Sequence, residues 1–265
     1  MKIIICVKSV PDPSYYNQIQ MDSETKSLVR TNIPTVIGQS DLHALEEGLR
    51  LKDKFGAEVV VISMGPEAAK TQLYEALAFG ADKAILLSDN KVAGSDTFST
   101  SYVLSKVIET IGNFDLIIAG NESSDGATAH VPSQIGEWLN IPHAANVTNI
   151  VAEEQEYVIV NKKLDNGIGR YKMPTPAVLG VNASINNIRY MSVPSIYDAK
   201  NKPLEVWSTE NLVAIEEEYI GLAGSPSQNG NLVVREIKKE VKMLSQRPEE
   251  IAEQLYQAIE AIRNK

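Results

Sequence analysis

"DLIIAGNESSDGATAHVPSQIGEWL", residues 115–139, decides the fold class. An apolar run from Leu116 to Ala119 stops at Gly120, small and polar residues follow from Asn121 to Val131, and Pro132 opens a helical pattern. A short apolar run bounded by turn residues reads as a buried strand. Proline suits the first helical turn, where its missing N–H is no loss. The stretch is a strand–loop–helix unit, and its loop is rich in hydroxyls.

The same unit recurs toward the N-terminus. "KIIICV" (2–7), "EVVVISM" (58–64) and "AILLS" (84–88) are continuous apolar runs, as expected of strands covered on both faces. Between them lie amphipathic patterns: Leu42, Leu45 and Leu49 behind Asp41 as cap, a second helix from Pro66 to Gly80, and Val103, Val107 and Ile111 ahead of Gly112. Strand–helix alternation predicts an α/β fold, an open and mostly parallel sheet with helices on both faces. "YVIVNKKLDNGIGRYKM" (157–173) predicts a β-hairpin around Asp165-Asn166-Gly167, and "TPAVLGV" (175–181) a further core strand.

Three segments are expected: an α/β domain over 1–189, an irregular stretch over 190–222, and a linker with a C-terminal helical arm over 223–265. "AGSPSQNG" (223–230) has linker composition. Beyond it Ile251, Leu255, Ile259 and Ile262 share one face of an amphipathic helix, which must fold back on the domain or reach a partner subunit.

The chain has 265 residues, 43% of them hydrophobic, and a net charge of −9. That charge argues against nucleic acid and against an anionic membrane surface. The single cysteine, Cys6, lies inside an apolar run and reads as a buried, inert thiol. No stretch approaches the ~20 apolar residues of a membrane span, so a cytoplasmic protein without membrane insertion is expected.

His43, His130 and His143 lack metal-ligand spacing, so no metal is expected. GxSxG, Walker A, HExxH and GxGxxG motifs are all missing from the sequence, and no nucleophile stands with a base, so no catalytic side chain is expected. What remains is a set of strand ends, where open parallel sheets bind ligands. "VKSVPD" (7–12), "VIGQSD" (36–41), "SMGPE" (63–67) and the loop after Gly120 lie there. In that last loop Gly120 and Gly126 permit close backbone approach, and Ser123, Ser124 and Thr128 bring hydroxyls. The free N–H groups after Pro132 suit a phosphate, whereas Asp125 suits a ribose hydroxyl or the loop's own amides. The same residues also serve as ordinary caps and turns, and His130 reads as a loop hydrogen-bonder.

Four stretches, the loop after Gly120 among them as the counterpart of the family's nucleotide loop, resemble the β subunit of the electron transfer flavoproteins. "CVKSVPDP" (6–13) is similar to the family's opening motif, and residues 44–89 to its second and third strands. "SINNIRYMSVPSIYDAKNKPLEVW" (184–207) resembles the family signature. The resemblance implies a heterodimer with an α subunit that carries an FAD, and a second nucleotide in this chain. That nucleotide is FAD in electron-bifurcating members, which take electrons from NADH and divide them between a low-potential acceptor such as ferredoxin and the α-subunit flavin. It is a structural AMP in simple carriers. Carried over by position, the nucleotide contacts are Cys6, Gly38, Gln39, Ser40, Asp41 and Met64, then the loop Asn121, Glu122, Ser123, Ser124, Asp125, Gly126, Ala127, Thr128, Ala129, His130, Val131 and Pro132.

The family's docking segment for flavin-dependent dehydrogenases falls on Val193, Pro194 and Ile196. Departures stand beside the likeness. Asn121-Glu122 replace a usual cation-Gln pair, and the DG-x-TA skeleton survives as Asp125, Gly126, Thr128 and Ala129, which favours FAD over AMP. Val193 replaces a usual leucine, one methylene worth about 0.8 kcal/mol if buried. Asp198 and Asn201 replace lysines, which implies a different dehydrogenase partner or no consequence at all. Outside the family, a nucleotide-sensing stress-type domain uses similar strand-end loops, but has no use for the segment from Tyr190 to Trp207.

Overall fold

The computed structural model describes residues 1–18, 20–21, 28–29, 33–153, 156–227, 241 and 243–263. They fall into two units, Met1–Asn229 and Gly230–Lys265.

In the first unit the chain opens with β1 (Lys2–Cys6), β2 (Ser9–Pro11), two short strands β3 (Gln20–Met21) and β4 (Leu28–Val29), and β5 (Thr35–Ile37). Helix α1 (Gln39–Phe55) leads to β6 (Glu58–Met64), α2 (Lys70–Phe79) to β7 (Lys83–Leu87), and α3 (Thr97–Ile111) to β8 (Leu116–Gly120). After α4 (Val131–Trp138) come β9 (His143–Glu153), β10 (Tyr157–Leu164), β11 (Gly167–Pro174) and β12 (Ala177–Val181). Helix α5 (Val193–Asp198) and β13 (Leu204–Trp207) complete the unit.

The main sheet has the order β11-β10-β9-β12-β8-β1-β6-β7-β13. All its neighbours from β9 to β13 pair in parallel, and β10 runs against both β9 and β11. Central β1 shows why the layers form. Ile3, Ile4 and Ile5 align with Val59, Val60 and Val61 on one side and with Leu116, Ile117 and Ile118 on the other. Successive side chains point to opposite faces. Ile3 and Ile5 therefore pack with Leu45 and Leu49 of α1 and Leu73 and Leu77 of α2, while Ile4 and Cys6 pack with Val103 and Val107 of α3 and Ile135 of α4. The expected α/β class, with helices on both faces, is what the chain adopts.

The chain reverses direction at β1. From β1 it winds outward through β6 and β7, then α3 returns it to β8 on the other side of β1. The crevice outside the carboxyl ends of β1 and β8 is therefore the switch point, where doubly wound sheets bind ligands.

Several local expectations need correction. Gly38, not Asp41, is the N-cap of α1. Pro66 precedes a single 3-10 turn, Glu67–Ala69, and α2 starts only at Lys70. Two strands of the main sheet lay hidden in the sequence. β9 mixes polar and apolar residues and carries register irregularities against both of its neighbours, so neither clean alternation nor a continuous apolar run marks it. β13 follows Pro203 in a stretch read as irregular and extends the sheet beside β7. The first half of the expected linker is seated rather than loose. Ser225 is 5% exposed, its hydroxyl accepts from the Asp96 amide (2.9 Å), and the Ser227 amide donates to Asp96 Oδ2 (2.8 Å). Residues 228–230 lie outside the described residues.

In the second unit α6 (Pro248–Arg263) has Glu249 and Glu250 in its first turn and Arg263 in its last, both favourable to its dipole. Leu255, Ile259 and Ile262 are exposed within this unit. Among the described residues no helix is long and apolar enough to cross a membrane.

Candidate nucleotide crevice at the switch point

Two loops and one helix start meet at the ends of β1 and β8. The Lys8 amide donates to Asp41 Oδ2 (2.8 Å), and the Gly120 amide donates to Asp41 Oδ1 (3.1 Å). One carboxylate thus joins the exits of β1 and β8 to the first turn of α1. The Gly38 amide donates to the Lys8 carbonyl (3.0 Å) and closes the same corner.

Glycine is required at Gly120. A Cβ there would overlap the Asp41 carboxylate and stand 2.7 Å from Ser40 Cβ. The backbone of β8 can meet the start of α1 only without a side chain. A Cβ on Gly38 would stand 2.9 Å from Asp41 Oδ2, so the corner is bare backbone on both sides.

Electrostatics follow from this burial. Asp41 is 7% exposed, and desolvation pushes its carboxyl up to about 7, against the opposing pull of the two amide donors and of Lys8. The Cys6 thiol is pushed well above the ordinary thiol range by burial, with the neighbouring Asp41 charge adding to it. It packs, buried as expected, in the α3–α4 core. Any contact from Cys6 to a ligand would come from its backbone.

The loop after β8 is tied across the crevice. Lys8 Nζ lies 2.6 Å from Asp125 Oδ1 and donates to Ser123 Oγ at 3.4 Å, and the Tyr16 hydroxyl donates to Ser124 Oγ at 3.1 Å. The Ala127 amide donates to the Ser123 carbonyl (2.8 Å). Left-handed backbone falls on Ala127 (φ 47°) and Ala129 (φ 56°), not on Gly126. Such positions cost ~1–2 kcal/mol each for residues with a Cβ and cluster at ligand-binding loops.

A family model described as "Electron transfer flavoprotein domain" matches residues 25–212. The chain belongs to the electron transfer flavoprotein family. It is 39% identical over 228 residues to the electron transfer flavoprotein subunit beta of Thermoanaerobacterium thermosaccharolyticum, covering 86% of each chain. To the subunit of the same name from Clostridium acetobutylicum it is 35% identical over 252 residues, 95% of each. To the caffeyl-CoA reductase-Etf complex subunit CarD of Acetobacterium woodii it is 38% identical over 229 residues, 86% of each. These matches set aside the nucleotide-sensing alternative.

For this electron transfer flavoprotein β chain, the structure brings Cys6, Gly38, Gln39, Ser40 and Asp41 together with Asn121, Ser123 and Asp125 around the β1–β8 exits. Met64 stands at the end of β6, one strand away, half-buried against the α3–α4 core. Asn121 is committed to the protein: its side-chain oxygen accepts from the Asn146 amide (2.7 Å) and its own amide donates to the Val181 carbonyl (2.9 Å). Glu122, Ser124, Gly126, Ala127, Thr128 and His130 are exposed in the loop, and Val131 and Pro132 begin α4. Asp125 was expected to take a ribose hydroxyl or the loop's own amides; the folded chain also pairs it with the Lys8 ammonium, because a long side chain from the β1 exit reaches it. Asp41 was read as a cap and is instead a buried bridge.

Sequence reasoning missed Lys8 and Tyr16 as side chains of the site. Lys8 lay within the quoted "VKSVPD", but nothing in a sequence says which way a lysine at a strand exit will reach.

The residues present fit a nucleotide. Bare backbone at Gly38 and Gly120 allows close approach, and Ser123, Ser124 and Thr128 supply hydroxyls. The nearby acids do not forbid a phosphate: Asp125 is paired with Lys8, and burial biases Asp41 toward its neutral form.

Proposed function

We propose that this chain is the β subunit of a heterodimeric, electron-bifurcating electron transfer flavoprotein, with an FAD in the β1–β8 crevice. The observation that carries the reading is the glycine-lined corner at the switch point, closed by a loop tied down through Lys8 and Tyr16. A bound flavin would supply the redox chemistry, taking electrons from NADH and passing them to a low-potential acceptor such as ferredoxin and to the α-subunit FAD. The chain's own residues hold and orient it. Asp41 sets the spacing of the two strand exits, and the 121–132 loop covers the nucleotide.

The relative named for a caffeyl-CoA reductase complex supports a flavin-dependent dehydrogenase or reductase as final partner. Its docking point is α5, whose Ser192 capping box fixes the helix start while Val193, Ile196 and Tyr197 stay 71%, 47% and 75% exposed. Val193, Pro194 and Ile196 would seat there.

The test is the nucleotide content of the purified heterodimer. Two FAD per heterodimer are expected. One FAD and one AMP would instead make the chain part of a simple carrier.

The arm from residue 231 onward is assigned to the α subunit, supported by the exposed Leu255, Ile259 and Ile262 on α6. Deleting 231–265 is expected to abolish co-purification with the α subunit, and a heterodimer that survives the deletion would refute the assignment.

A further inference from the structure

The loop from Asn121 to Pro132 contains no lysine or arginine, yet it carries Glu122 and Asp125. A phosphate placed against it would meet negative charge and no balancing cation from the loop itself. The structure supplies that cation from across the crevice.

Lys8 has a fixed base and a movable tip. Its amide is held by Asp41 Oδ2 at 2.8 Å, and its carbonyl accepts from the Gly38 amide at 3.0 Å. The side chain remains 48% exposed, and its ammonium lies against Asp125 and Ser123. The residue stands beside the start of α1, the end of a helix whose dipole favours an anion. An ammonium on a flexible stem exchanges one oxyanion for another without moving the backbone.

We propose that Lys8 recognises the phosphate of the bound nucleotide, and that Asp125 is its counter-ion until a phosphate arrives. The proposal rests on the crevice being the nucleotide site. It makes Lys8 a specificity-determining residue: it selects phosphorylated nucleotides over the bare nucleoside, while the loop's hydroxyls and backbone hold the ribose and base. It also gives Asp125 a role besides any contact with ribose, that of holding the lysine at the crevice until the phosphate takes its place.

The experiment is titration calorimetry of the full chain, freed of bound nucleotide, with AMP and with adenosine. Wild type is expected to prefer AMP. Lys8→Met should lower AMP affinity about tenfold or more while leaving adenosine within about twofold, since one charge-assisted hydrogen bond is lost. Lys8→Arg should restore most of the preference. Asp125→Asn, which releases the lysine, should strengthen AMP binding and not adenosine binding. Equal losses for both ligands in Lys8→Met would show that the lysine only latches the loop, and an unchanged AMP preference would equally overturn the proposal. Wild type binding neither ligand would overturn the nucleotide reading itself, an outcome distinct from the other two.

Discussion

Replacing Arg189 by alanine is expected to destabilise the protein by about 3 kcal/mol, roughly 10 °C in Tm. Arg189 Nε donates to Glu46 Oε2 at 2.8 Å, and its Nη2 reaches Glu46 Oε1 at 3.2 Å and Asp53 Oδ2 at 2.8 Å. Glu46 is only 5% exposed. The asymmetry between the partners decides the magnitude. Asp53 is largely exposed and its pairing contributes little, whereas Glu46 would be left as a buried charge. The Arg189 backbone amide would still donate to Glu46 (3.2 Å), which holds the loss at the lower end for a broken buried pair. Removing both charges with Glu46→Met and Arg189→Met should recover most of the stability, because the cost lies in the orphaned carboxylate.

The same variant bears on function. Arg189 and Asn186 fasten the chain to α1: Asn186 Nδ2 donates to Glu47 Oε2 and to the His43 carbonyl, both at 2.9 Å. The exposed segment with Tyr190, Val193 and Tyr197 begins at the next residue. Amide exchange over 190–198 should therefore quicken in Arg189→Ala. A stability loss under about 1 kcal/mol would reduce the pair to an ordinary surface contact.

The second large effect is a dependence on pH through Asp41. Its carboxyl is pushed up to about 7 from 3.8, chiefly by burial, with Asp125 adding to the rise and Lys8 and the two amides opposing it. A folded-state value above the unfolded one means that the native protein binds the proton more tightly. Stability from this group is then fully present below about pH 4 and lost as pH rises toward 7, by about 4 kcal/mol over the interval. Asp89 and Glu205 have the opposite sign. The Lys91 and Thr209 donors lower Asp89 and the Lys83 ammonium lowers Glu205, so their contributions disappear as pH falls through the low carboxylate range. Subtracting Asp41→Asn from wild type isolates the first effect. The difference in unfolding free energy should fall between pH 4 and 7 and level off above. Parallel profiles would show that Asp41 is ionised throughout and is held by its two amide donors.

Much of this molecule was legible before its structure. The isoleucines of "KIIICV" and the valines of "EVVVISM" are apolar at every position, and only a strand covered on both sides can bury such a run. Gly120, followed by polar residues and a proline, marked the strand end, the loop and the helix start in their right places. The resemblance in residues 6–13, 44–89 and 184–207 led to the family. These signals are local: periodicity, turn chemistry and motif order are written along the chain.

What depended on the tertiary structure concerns residues far apart in sequence. Asp41 looked like a cap because Asp is a good cap, but the folded chain turns its carboxylate to the amides of Lys8 and Gly120, 33 and 79 residues away. Nothing beside Asp125 in the sequence showed that Lys8, 117 residues distant, would pair with it. β9 and β13 carry weak patterns of their own and are strands because β12 and β7 offer them parallel edges. Composition and periodicity determined which segments are buried and what shape each takes. Which charge meets which, and therefore what the crevice can hold, followed only from the order in which the sheet brings the strand ends together, since hydrogen bonds and ion pairs act over a few ångströms and record no sequence distance.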